Sequence, residues 1–180
     1  MNKLWDTRKY MPEKLNRTIN YSGLRIDIHP HVHPFICREL RIFCRWLRAS
    51  YDFPVRVHIY VPNAKKILAR DRILCYGTCF VPDDPNDHVS IHIAGGYKDA
   101  GTFQDLQNYT WTTLTTLAHE LGHYYQYVNQ VELTKRGTEW QATYYANQIM
   151  NEYYNAEWDS MDESEVEAEI EQYSLKNNKK

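Results

Sequence analysis

The stretch Leu114-Thr115-Thr116-Leu117-Ala118-His119-Glu120-Leu121-Gly122-His123 decides how this chain is read. It closes on the pattern H-E-x-x-H, set in a run from Asn108 to Gln130 that reads as one helix, with Asn108 as N-cap and Leu114, Leu117, Ala118 and Leu121 as its apolar stripe. Histidines four apart on a helix stand one above the other, so both imidazoles reach a single ion. Glu120, between them, is rotated to the side, where its carboxylate can hold and deprotonate a coordinated water. Zinc lowers the pKa of such a water from about 15.7 to about 7, which is what hydrolysis at neutral pH requires. Gly122 costs about 1 kcal/mol relative to alanine inside a helix, and close approach of a neighbouring backbone or of substrate would explain it.

Catalytic zinc takes three protein ligands and keeps one position open. No histidine follows His123, so a downstream third histidine is excluded, and the candidate oxygen ligands are Glu132, Glu139, Glu152 and Glu157. Glu132 follows too closely for the chain to leave the first helix, turn and return. Thr138-Glu139-Trp140-Gln141 has capping-box spacing, which predicts a second helix with Thr138 as N-cap. On it Glu139, Ala142, Ala146, Ile149 and Tyr153 share one face, so the carboxylate is expected to point inward, and two alanines let the helices approach closely. A buried charge is costly unless paired or metal-bound, which favours Glu139 as the third ligand.

His119-Glu120-Leu121-Gly122-His123 followed by Glu139-Trp140-Gln141-Ala142-Thr143-Tyr144-Tyr145-Ala146-Asn147-Gln148-Ile149-Met150 resembles the ImmA/IrrE family of gluzincin metallopeptidases, over roughly residues 72 to 150. Thr143 stands where that family has Asn or Asp, Tyr145 where it has Phe, and the interval from the second histidine to the glutamate is short. The resemblance implies a small intracellular peptidase linked to phage or mobile-element regulation. Gly137-Thr138-Glu139-Trp140 also echoes a segment of SprT-like proteases, with Arg136 where those have their third zinc histidine.

The 180 residues suit a single domain, and 43% hydrophobic with 24% charged residues is a globular composition. The N-terminal residues lack an apolar signal core, and no apolar run approaches the ~18 residues of a membrane span. Cys37/Cys44 and Cys75/Cys79 lack zinc-ribbon spacing and read as free thiols of a reducing, cytoplasmic setting. Fifteen tyrosines are many; most of those clustered on the two motif helices are expected to keep their hydroxyls at the surface, and one is a candidate oxyanion donor.

The expected organisation is an irregular segment 1–33, a zincin-like metallopeptidase domain 34–158, and an acidic helix with a disordered tail at 159–180. Pro34 to Tyr51 reads as a helix with Ile36, Leu40, Phe43 and Leu47 on one face and Arg38, Arg41, Arg45 and Arg48 on the other. Pro54–Val61, Ile73–Val81 and His88–Ala94 read as strands, and Asn63–Asp71 as a helical turn. His29, His31 and His33 read as a solvated cluster, and His58 and His92 as half-buried strand histidines, with His92 a candidate to line the cleft. The arginine stripe is the best hint of a nucleic-acid partner, but the net charge of −2 gives no basic footprint and such a partner is not favoured.

The reading is thus an α+β, zincin-like fold: a small antiparallel sheet on an H-E-x-x-H helix and a following glutamate-bearing helix. His119, His123 and Glu139 would bind zinc and Glu120 would act as general base on a protein or peptide substrate, an edge strand pairing with the extended substrate. The alternatives are a regulator of the same fold that binds without cleaving, and a DNA-associated protease of SprT-like kind.

Overall fold

The computed structural model describes residues 22–84, 87–97 and 101–157. The expectations for residues 1–21 and for the acidic segment 159–180 lie outside the described residues.

Strand β1, Leu24–Ile28, opens the described chain, and helix α1, Pro34–Ser50, follows after a short turn. His33 caps that helix, its Nδ1 accepting the Phe35 N–H at 3.2 Å, and Pro34 fits the first turn because no amide is needed there. One stripe of α1 (Ile36, Leu40, Phe43, Cys44, Leu47) is fully buried, while Arg41 and Arg45 are exposed. Strand β2, Val57–Val61, comes next, then the two-residue strands β3, Ile67–Leu68, and β4, Leu74–Cys75, and then β5, Gly77–Phe80, and β6, Val89–Ile93.

The main sheet has the order β1-β2-β6-β5. β1, β2 and β6 run parallel, with Leu24 beside Val57 and Val57 beside Val89, and only β5 is antiparallel, Gly77 facing Ile93. The sheet is therefore mixed, not the antiparallel sheet expected from sequence. The reason lies in β1, placed in the segment expected to be irregular: β1–α1–β2 is a strand–helix–strand unit, and a long helical crossover returns the chain parallel. Residues 63–71 form no helical turn; β3 pairs with β4 instead, Ile67 opposite Cys75. The run Ile73–Val81 is accordingly split at Tyr76 between two pairings, β4 with β3 and β5 with β6.

Val57, Ile59, Val61, Val89, Ile91 and Ile93 alternate onto one sheet face, all buried, and join the apolar face of α1 and that of the H-E-x-x-H helix in one core. Helix α2, Phe103–Val128, begins a turn and a half before Asn108. Thr102 accepts the Asp105 N–H at 3.1 Å while the Asp105 carboxylate accepts the Thr102 N–H at 3.1 Å, a capping box with aspartate in place of the usual Glu or Gln. Helix α3, Lys135–Glu157, also begins earlier than expected. Thr134 Oγ1 accepts the Gly137 N–H, and Thr138, expected as the cap, lies inside the helix and donates its hydroxyl to the Thr134 carbonyl.

Two of the motif-helix tyrosines, most of them expected to keep their hydroxyls at the surface, are fully buried. Tyr124 donates to the Val55 carbonyl at 2.7 Å and Tyr125 to that of Asp52 at 3.1 Å, so α2 fastens the loop ahead of β2. The polar tips find backbone partners in a segment that has no ladder of its own, which satisfies both sides.

Candidate metal centre

α2 and α3 cross where Gly122 meets Ala142. A Cβ at Gly122 would stand 2.8 Å from Ala142 Cα, so the glycine is there to let the two backbones touch. Ala142 and Ala146 are buried against α2, as their size suggested. This contact sets the height of Glu139 against the histidines of α2.

His119 Nε2 and His123 Nε2 lie 3.2 Å apart. Glu139 Oε2 is 3.4 Å from His119 Nε2, and its Oε1 is 3.7 Å from His123 Nε2. Four ligands about 2.0–2.1 Å from a tetrahedral ion are separated from one another by about 3.3–3.4 Å. The three side chains therefore already stand near the corners such an ion needs, and they form a group that could hold a metal. Burial and then the neighbouring His123 lower the pKa of His119, which keeps that imidazole neutral with a lone pair to offer. Glu139 is not buried as expected: its side chain is 57% exposed. The carboxylate leans off the helix interface into the groove, and the apolar residues of its stripe do the packing without it.

Glu120 is 6% exposed and sits against β5, where a Cβ on Gly77 would come within 2.9 Å of its Oε1. Burial, and then the charge of Glu139, push its pKa up to about 8. A cation held beside both carboxylates would favour the ionised form and reverse that shift. The groove in front of these side chains has a volume of about 1150 Å³ and is bordered by β5 on one side and by α2 and the start of α3 on the other. Tyr76 and Tyr127 are the tyrosines on its rim. β5 is an edge of the main sheet, so the expected edge strand does flank the groove.

Of the other sequence candidates, Glu132 borders the same groove without joining the histidine–glutamate group. Among the described residues, His119, His123 and Glu139 are the one group of metal-ligand type. His29 and His31 serve local turns, His29 Nδ1 accepting the His31 N–H at 3.2 Å. His58 approaches Asp27 at 2.7 Å, and His92 packs against Tyr60 and Phe80 without lining the groove. Glu152 accepts the Tyr51 hydroxyl at 2.7 Å, tying α3 to the end of α1, and is no ligand. The four cysteines are free. Gln126 and Gly77 belong to the site and carry no sequence signal. Gln126 bridges His123 on its own helix to Thr138 and Gln141 on α3, Gly77 meets Thr116 and Glu120 of α2, and neither matches a motif.

No protein-family model, curated protein or solved structure matches this chain significantly.

Proposed function

We propose that this protein is a zinc-dependent peptidase of zincin type, with His119, His123 and Glu139 as zinc ligands and Glu120 as general base. The supporting observation is that the Glu139 carboxylate oxygens stand 3.4 and 3.7 Å from two imidazole nitrogens that are themselves 3.2 Å apart, beside a buried carboxylate on the helix of the two histidines. Two imidazoles and a carboxylate are a donor set that suits zinc and leaves a fourth position open.

When bound, zinc polarises the scissile carbonyl and makes a water acidic enough to attack it. Glu120 accepts the proton of the attacking water on its carboxylate and passes it to the nitrogen of the leaving amine, so water and peptide become a carboxylic acid and an amine. β5 offers its free edge to an extended chain, which would lie along the groove with its carbonyl between Glu120 and the metal ligands. The tyrosines at the rim, Tyr76 and Tyr127, are the candidates to donate a hydrogen bond to the developing oxyanion. Four free thiols suit a reducing compartment, so the substrate is an intracellular protein.

The test is mass-spectrometric mapping of protein N-termini in cells expressing the wild type or Glu120→Gln. New N-termini are expected with the wild type alone. Identical sets from the two cultures would discard the peptidase reading.

A further inference from the structure

Gln126 is buried on α2, one turn beyond His123, and holds three partners at once. Its side-chain nitrogen donates to the Thr138 carbonyl at 2.9 Å and to Gln141 Oε1 at 3.1 Å, and its Oε1 lies 3.0 Å from His123 Nδ1. The Thr138 carbonyl can only accept, which fixes which end of the Gln126 amide faces it. Oε1 must then face the histidine, and an amide oxygen also only accepts. Nδ1 of His123 must therefore carry the ring proton, leaving the lone pair on Nε2, the nitrogen that faces His119 and Glu139. One backbone carbonyl at the start of α3 thus sets the tautomer of a histidine on α2.

The same amide grips the peptide of Thr138, next to Glu139 in the chain. His119 has no equivalent: its Nδ1 meets Thr143 Oγ1 at 3.4 Å, and a hydroxyl can donate or accept, so that contact does not choose a tautomer. We propose that Gln126 is the positioning residue of the metal centre, orienting His123 by its oxygen and seating Glu139 by its nitrogen. This rests on the zinc-site reading above and adds to it a source of preorganisation outside the ligands.

Two variants separate the halves of the proposal. Gln126→Leu removes both. Gln126→Glu keeps an acceptor for His123 but loses the donor to Thr138. Long-range ¹H–¹⁵N correlation spectra of the His123 ring should show Nδ1–H in the wild type, both as purified and after chelation. Gln126→Glu should keep that signature, and Gln126→Leu should shift toward Nε2–H once chelated. Chelator-competition titrations should give a zinc dissociation constant raised by roughly 10- to 100-fold in Gln126→Leu, with a smaller rise in Gln126→Glu. A wild-type ring protonated at Nε2 overturns the proposal even if neither variant folds. So does unchanged zinc affinity in a folded Gln126→Leu. Absence of zinc binding by the wild type, with the Nδ1–H signature intact, would instead sink the metal reading and leave the tautomer assignment standing.

Discussion

Glu139 reaches the two imidazoles from a different helix, and its side chain is more exposed than either of theirs. Of the three proposed ligands it is the one whose loss is most readily separated from folding. In Glu139→Ala, bound zinc should fall from stoichiometric to trace after dialysis, measured by elemental analysis, with the helical circular dichroism unchanged. Full retention of zinc would remove Glu139 from the ligand set. Gly77 makes a second test at this scale, because an added methyl would meet Thr116 Cγ2 at 2.5 Å and Glu120 Oε1 at 2.9 Å. Gly77→Ala should displace the Glu120 carboxylate and cut turnover by about 10²-fold, the cost of a misplacement near 1 Å. Zinc content should hold, and turnover equal to wild type would mean that Glu120 has no fixed place to lose. The histidines and Glu120 were legible in sequence because their geometry is set by helical spacing alone. Glu139 was found by elimination, though the burial argued for it is absent. Gln126 was illegible because its decisive partner is a backbone carbonyl, which carries no residue identity.

At the scale of elements, the α2–α3 crossing positions Glu139 against the two histidines, the group that could hold a metal. Alanine is the better helix former by about 1 kcal/mol, so propensity alone has Gly122→Ala raising stability. The contact says otherwise, since the new Cβ would meet Ala142 Cα at 2.8 Å and its carbonyl oxygen at 3.2 Å, and backbone cannot swing aside. Overpacking of this kind costs about 1–3 kcal/mol. A net loss of about 1 kcal/mol is expected in urea unfolding, together with weaker zinc binding as α3 moves out. A stabilised variant with wild-type zinc affinity would show that the helices do not need this approach. The sequence carried this contact, because an unexplained glycine and two alanines on the facing helix point to each other. It did not carry the start of either helix: aspartate served the capping box at Thr102, and Thr134 took over from Thr138.

For the whole molecule, a mixed sheet whose apolar face packs on α1 and α2 buries phenols and thiols together. Burial raises the pKa of Tyr51, Tyr97 and Tyr125 above 10.0, and that of Cys37, Cys44, Cys75 and Cys79 above 9.0, with Cys44 pushed up to about 12. These groups keep their protons in the native chain at a pH where the unfolded chain has released them. The unfolded state then binds fewer protons, so stability falls as pH rises past about 9 and falls faster past about 10. The urea midpoint at pH 10.5 should lie below that at pH 8, and phenolate absorbance of the buried tyrosines should appear together with unfolding. A midpoint independent of pH over that range would contradict the packing. The parallel order of the sheet was hidden from sequence because β1, Leu24–Ile28, is a short half-apolar run between a glycine and a His-Pro turn. Its partner, β2, lies beyond a whole helix, and pairing over that distance leaves no local mark.

Anomalous diffraction at the zinc absorption edge, from crystals of the protein grown with zinc, tests the metal centre most directly. The expected result is one dominant peak about 2.0–2.2 Å from His119 Nε2, His123 Nε2 and a Glu139 carboxylate oxygen. An empty difference map at that point, or zinc seated instead on His29 and His31, would contradict it.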